Sequence, residues 1–220
     1  MGVFMTRLLV LVPTEFELER LERHIAPSVA AVDGLIRTCG FGPIAAGIQT
    51  AQLLAQLKPQ AAVLIGIAGA LGTQMAIGTA ASFSQIGCYG IGAGSGSRFQ
   101  TSSELGWSRQ SGSGEQSPLG DVIRLSNPSQ VVSPDPGMLL TVCAASDGGE
   151  DVIHRLKKFP QAIAEDMEAY SVAMACQTTA IPLTVIRGIS NEAGDRNKAN
   201  WNVTAALQAA AACFNSQDFQ

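Results

Sequence analysis

Two short segments hold the residues best suited to chemistry. Ala164-Glu165-Asp166-Met167-Glu168-Ala169 sets carboxylates in the opening turn of an otherwise apolar segment that runs on through Val172, Ala173, Met174, Ala175 and Cys176. Moving an unpaired carboxylate out of water is costly, so an acid in such a place has a partner or a task. Arg187-Gly188-Ile189-Ser190-Asn191 ends the apolar run Leu183-Thr184-Val185-Ile186 in an amide close to a glycine. A third group, Glu15 and Glu17, follows the first apolar run of the chain. Carboxylates serve acid–base chemistry and hydroxyl recognition, and an amide offers both a donor and an acceptor. Together they point to a small-molecule site. His24 and His154 sit in amphipathic helical patterns without ligand partners at metal spacing, so no metal site is expected.

These residues need elements to hold them. Leu8–Val12 reads as a buried strand and Glu15–His24 as the helix after it. Leu35–Cys39 is a second strand, closed by Gly40-Phe41-Gly42. Pro43 stands where a helix would start, with Ile44, Ile48, Ala51 and Ala55 at helical spacing through Leu57. Ala61–Ile67 is a continuous apolar run, the pattern of a strand covered on both faces. Such alternation favours an α/β sandwich with a mainly parallel central sheet. Ligands of open α/β sheets bind beyond the carboxyl ends of the strands. Thr14–Glu17, Gly40–Gly42, Gly66–Gly69 and Ser190-Asn191 all fall there by topology. Residues 90–120 are dense in Gly and Ser; the expectation is a hairpin or lid near the site, with a disordered surface loop the alternative.

Bulk composition narrows the classes. The 220 residues suit a single domain with a sizeable core, 46% hydrophobic against 15% charged, which argues against disorder. A net charge of −4 with scattered basic residues argues against a nucleic-acid surface. Five cysteines without close spacing read as reduced thiols in a cytoplasmic protein. The apolar stretch Leu8–Val12 is too short for a signal peptide core and is followed by acids, and no run approaches the ~20 apolar residues of a membrane span.

The segment Phe159–Ala169, containing Asp166-Met167-Glu168, resembles the ribose-binding segment of the purine nucleoside phosphorylase and nucleosidase superfamily. Arg187–Asn191 resembles its base-binding segment, and Cys39–Gly72 its glycine-containing second and third strand units. Within the superfamily, Ile91-Gly92-Ala93, Ser103–Gly106 and Asn191–Arg196 are most similar to the futalosine hydrolases, which release hypoxanthine from futalosine on a route to menaquinone. The resemblance implies a three-layer α/β/α sandwich with a twisted, mainly parallel sheet, no cofactor, a nucleoside as ligand, and a homodimer or higher homo-oligomer.

It also implies roles. Glu168 would accept from two ribose hydroxyls, the alternative being an acid that merely suits a helix N-terminus. Met167 would contact one face of the sugar, and Ala68 and Gly69 would line the substrate. Glu17 would activate water, although Glu15 is two residues away and a shifted register would exchange them. Asn191 stands where enzymes of the superfamily that act on 6-aminopurines carry aspartate, and an amide would donate to O6 and N7 of a 6-oxopurine. Asp195 would protonate the leaving base or else cap a turn. Phosphorylases of the superfamily place an arginine where this chain has Leu64, which favours hydrolysis; Arg37 is the one cation left to consider for phosphate. The benzoate of futalosine asks for a cation, for which Arg98 or Arg109 is the expectation. An adenine-releasing nucleosidase, a phosphorylase and a non-catalytic nucleoside-binding protein are the alternatives.

Overall fold

The computed structural model describes residues 6–107, 120–125 and 137–219. Its centre is a nine-stranded mixed sheet. Leu8–Val12 (β1) pairs in parallel with Leu35–Thr38 (β2) on one side and with Ala61–Ala70 (β3) on the other. Leu183–Glu192 (β11) runs parallel to β3 over almost its whole length and takes Ala80–Phe83 (β4) antiparallel at its outer side. Beyond β1, the upper end of β3 meets Ala162–Asp166 (β10) antiparallel, through Ala164 opposite Ala70 and Glu165 opposite Gly69. The sheet continues through Met138–Val142 (β9), Gln85–Tyr89 (β5) and Val122–Arg124 (β8). Five of the eight pairings are parallel, which gives the mainly parallel sheet expected.

Period-two alternation explains the two cores. Leu8, Val10, Val12, Val63 and Ile65 project to the face covered by helices Glu15–Ala31 (α1) and Val203–Asn215 (α5), against Leu21, Ile25, Val29, Leu207 and Phe214. Leu9, Leu11, Ala62 and Leu64 project to the opposite face, under Gly42–Leu57 (α2) and Ala169–Thr178 (α4). Strands covered on both faces have no polar side, hence the unbroken apolar runs. At Gly188 a Cβ would lie 2.0 Å from the Ala206 carbonyl oxygen, so α5 rests directly on the β11 backbone there. Gly149–Lys158 (α3) covers the β9 end of the sheet through Val152 and Leu156.

Several boundaries differ from the sequence reading. Helix α1 runs past His24 to Ala31 with Pro27 inside it. Pro27 is exposed, so water can reach the carbonyl its missing N–H leaves free. Strands β3 and β11 extend three and six residues further than their apolar runs. Glu165 and Asp166 do not open a helix but finish the buried strand β10; the helix starts only after Glu168. In the Gly/Ser-rich stretch, Gly92–Ala93 (β6) and Gln100–Thr101 (β7) form a short antiparallel pair. Residues 108–119 of that stretch, Arg109 and Ser111–Gly114 among them, lie outside the described residues.

Candidate active site

The carboxyl ends of β1, β3, β10 and β11 surround a cavity of about 620 Å³. Its lining includes Thr14, Glu17, Phe41, Ile67, Ala68, Gly69, Asp166, Met167, Glu168, Ser190 and Asn191, which joins all four of the segments that the topology placed together. The volume suits a small organic ligand.

The floor is organised by Arg187, which is fully buried on β11. Its Nε and Nη2 donate to Asp166 Oδ2 at 3.1 and 2.6 Å, and Nη2 reaches Glu168 Oε2 at 3.3 Å. Asp166 is steadied in turn by the Thr141 hydroxyl at 2.7 Å and the Ala169 N–H at 2.9 Å. Glu168 is the residue that precedes α4, and its Oε1 accepts from the Gly42 N–H at 3.0 Å, at the start of α2. Burial, opposed by Arg187 and reinforced by Asp166, pushes the Glu168 carboxyl from its ordinary 4.5 up to about 7.

Glu17 is buried in the first turn of α1, and Thr14 caps that helix by accepting from the Glu17 N–H. The Glu17 carboxylate accepts from the Thr14 hydroxyl at 2.6 Å and from the Ile67 N–H at 3.0 Å. Burial raises its pKa, with Arg187 and these hydrogen bonds pulling the other way. Arg187 Nη1 has no hydrogen-bond partner among the described residues. A Cβ built on Gly66 would sit 2.3 Å from that Nη1 and 2.6 Å from Glu17 Oε1. Glycine at 66 therefore lets the Arg187 guanidinium and the Glu17 carboxylate pack directly against the β3 backbone, where any side chain would collide with both. Glu15, by contrast, is exposed and accepts from Thr38, so of the two acids Glu17 is the one that borders the cavity.

The β11 strand bulges between Ile189 and Asn191, a device that re-aims side chains at sheet ends. Asn191 Oδ1 accepts from the Ser190 hydroxyl at 2.8 Å, and Nδ2 donates to the Glu192 carbonyl at 2.8 Å. A carbonyl can only accept, so the amide orientation is fixed. One N–H remains for a ligand rather than the two the sequence suggested. Asp195 does not line the cavity: it accepts from the Asn197 N–H and the Asn200 amide, which lower its pKa and make it a clamp of the loop after β11. Arg98 is exposed in the 96–98 turn, and Arg37 donates to its neighbour's carbonyl on the exposed side of β2; neither borders the cavity. Leu64 is core. The cations that do border it are Arg20, Arg196 and Lys198.

The model of the phosphorylase superfamily matches residues 26–216. The chain belongs to this superfamily. Among its superfamily relatives, futalosine hydrolase of Streptomyces coelicolor is 26% identical over 147 residues, 67% of this chain and 60% of that protein, so the match spans less than two thirds of the relative. Futalosine hydrolase of Acidothermus cellulolyticus is 33% identical over 79 residues, 35% of this chain and 32% of its own length. In structure, the chain superposes on futalosine hydrolase of Helicobacter pylori with a TM-score of 0.75, 15% identity and 98% coverage of both chains. The 5'-methylthioadenosine/S-adenosylhomocysteine nucleosidase of Helicobacter pylori, solved with butyl-thio-DADMe-Immucillin-A, gives 0.74 at 17% identity and 97% coverage of both. These likenesses establish the superfamily fold. Inside it, the sequence reading missed the part played by Arg187, quoted in its motif without a task. An arginine amid Leu-Thr-Val-Ile-Arg-Gly-Ile is the signal: a cation in a buried strand requires carboxylates, and the Glu-Asp-Met-Glu block supplies them.

Proposed function

We propose that this chain hydrolyses the N-glycosidic bond of a 6-oxopurine nucleoside, futalosine before others, giving hypoxanthine and dehypoxanthine futalosine for menaquinone synthesis in the cytoplasm. The observation that carries the reading is the placing of the buried Glu17 and Glu168 carboxylates and the Asn191 amide on one cavity. A water on the cavity side of Glu17 donates to its carboxylate, which leaves a lone pair for the anomeric carbon. Glu17 takes the proton as the C–O bond forms, and the electron pair of the C–N bond leaves with the purine, which is protonated from solvent. A general base is needed because neutral water is a weak nucleophile. Glu168, held by Gly42 N–H and Arg187, accepts from the ribose hydroxyls, with Met167 against the sugar and Ala68 and Gly69 along the ligand. The free Asn191 N–H meets a purine acceptor and stabilises the charge that develops on the departing base.

Water is favoured over phosphate on electrostatic grounds. Three carboxylates (Glu17, Asp166, Glu168) surround one guanidinium, so a phosphate dianion would enter a floor already negative. A 6-oxopurine is favoured over adenine because the free Asn191 N–H can donate to O6, whereas a 6-amino group would have only the second lone pair of Oδ1, the first being taken by Ser190. Copies of the chain associate in this reading: Phe41, Ile44 and Ile48 are 65%, 77% and 57% exposed in a stripe along α2, with Phe41 at the cavity wall. Light scattering of the native protein against Ile44→Glu tests that association; a monomer in both removes it.

Incubation with futalosine, aminofutalosine, methylthioadenosine and inosine, with and without phosphate, tests the chemistry by chromatography of the released base. Hypoxanthine from futalosine, independent of phosphate, is expected. Adenine as the preferred product, or a requirement for phosphate, overturns the reading.

A further inference from the structure

Helices α1 and α5 border a second cavity of about 380 Å³, which shares Arg20 and Thr204 with the candidate active site but none of Glu17, Glu168 and Asn191. Helical spacing builds it. Arg20, Arg23 and His24 stand at i, i+3 and i+4 on one face of α1, and Thr204 and Gln208 at i and i+4 on α5. One wall thus carries two guanidiniums and an imidazole, the other a hydroxyl and an amide. Like charges one turn apart repel, and an acid at helical spacing would relieve them. Here the relief is incomplete. Glu19, the acid of this cavity, comes only to 3.9 Å from Arg20 Nη1, with its side chain 74% exposed. It stands four residues before Arg23, the spacing of an ion pair, yet Arg23 makes none among the described residues. Arg23 donates from Nε to His24 Nε2 at 3.1 Å, and neither of its Nη groups has a hydrogen-bond partner among the described residues. Arg20 is fixed as well: Nη1 donates to the Phe16 carbonyl at 2.8 Å, and Cζ lies 3.7 Å from the centre of the Phe16 ring. Two guanidiniums, each tethered at one nitrogen and open at another, face one space.

We propose that this cavity between α1 and α5 binds a phosphate dianion, free or as a small phosphomonoester, with Arg20 and Arg23 taking the charge and Thr204 and Gln208 donating from the opposite wall. Phosphate presents oxygens in several directions, which donors on two helices can share, whereas the two coplanar oxygens of a carboxylate are satisfied by a single guanidinium fork. Two charges on the ligand match two guanidiniums. The tethers lower the cost of binding, since little side-chain freedom remains to be lost. Inorganic phosphate alone leaves part of the volume unfilled, so a small organic group on the ester has room. Because Glu17, Glu168 and Asn191 do not border this cavity, its anion is a separate ligand and not the nucleophile of glycosidic cleavage.

The experiment is calorimetric titration of the native protein with inorganic phosphate, glycerol 3-phosphate and acetate at constant ionic strength, repeated with Arg23→Ala and Arg23→Lys. Either phosphate compound is expected to bind more tightly than acetate. Arg23→Ala should weaken that binding about tenfold, and Arg23→Lys, which keeps the charge and loses the fork, by less. Arg23 is exposed, so neither substitution disturbs the core. An ester that outbinds free phosphate upholds the site with a phosphomonoester as its ligand; equal affinities uphold it with phosphate itself. Acetate binding as tight as phosphate, affinities unchanged in Arg23→Ala, or no binding of either phosphate compound overturns it. Phosphate held in the main cavity would give the second of these results. Hypoxanthine release from futalosine by Arg23→Ala should equal that of the native protein, and its absence in both bears on the hydrolase reading alone.

Discussion

Two buried arginines flank strand β10, and they differ in kind. Arg155, from α3, donates to Glu165, to the Ser146 hydroxyl and to the Ala144 carbonyl, on one side of the strand. Arg187 faces Asp166 on the next residue, hence on the other side. Each leaves one nitrogen without a partner, Nε in Arg155 and Nη1 in Arg187, so hydrogen-bond satisfaction does not separate them. Charge does. Arg155 is matched by one carboxylate and ties the 144–146 loop to the sheet. Arg187 is surrounded by three, and in two of them (Glu17 and Glu168) burial raises the pKa by more than Arg187 offsets. A neutral pair is a fastener; an over-supplied cation is a site that holds proton acceptors in readiness.

Removing the cation tests this most severely. Arg187→Met leaves buried acids uncompensated and should cost roughly 3–5 kcal/mol of stability along with turnover. Urea denaturation showing a loss under about 1 kcal/mol would mean the carboxylates do not depend on it. Glu17→Gln should do the opposite to the fold: turnover drops by about 10²–10⁴ while the melting temperature holds or rises, because a carboxylate disfavoured by burial has gone. Full turnover in that variant ends the water-activation role. Arg155→Met sharpens the contrast from the other side. It should lower stability by about 3 kcal/mol, as the loss of one partner of a buried pair does, yet leave the shape of the pH–rate profile unchanged. A shifted profile would show that the fastener is electrically part of the site.

How much of this could be read from the sequence depended on whether neighbours in the chain carried the information. The apolar runs of β1 and β3 and the Pro43 start of α2 are local signals, and they became the elements expected. Strand β10 was invisible because Ala-Ile-Ala-Glu-Asp offers charges where a buried strand should offer none, until arginines from α3 and β11 arrive to match them. The roles proposed for Glu17 and Glu168 come from motif likeness, but it took the helix to show that Glu17, not Glu15, turns inward. Asp195 reads from the sequence as either a proton donor or a turn cap, and its place off the cavity, bonded to Asn197 and Asn200, makes it the clamp of a loop whose residues carry no signature. Arg196 closes the quoted Asn191–Arg196 segment, but only the cavity assembles it with Arg20, more than 170 positions away.

The smallest effect expected is a pH signature of Glu168, and its sign is opposite to that of most native carboxylates. Its pKa is about 7 in the folded chain against an ordinary 4.5. Between those values the native state holds a proton that the unfolded chain has released. Its contribution to stability is therefore full below 4.5, declines as pH rises toward 7, and is constant above that, with a slope of at most about 1.4 kcal/mol per pH unit. The difference in unfolding free energy between native protein and Glu168→Gln isolates this contribution: the native protein should lose ground to the variant as pH rises from 5 to 7. Base release should move the other way, because the ionised carboxylate is the form that accepts from both ribose hydroxyls, so kcat/KM climbs through pH 7. Parallel stability curves for the two proteins would place the Glu168 pKa back among exposed carboxylates and end its distinction from the neutral Arg155 pair.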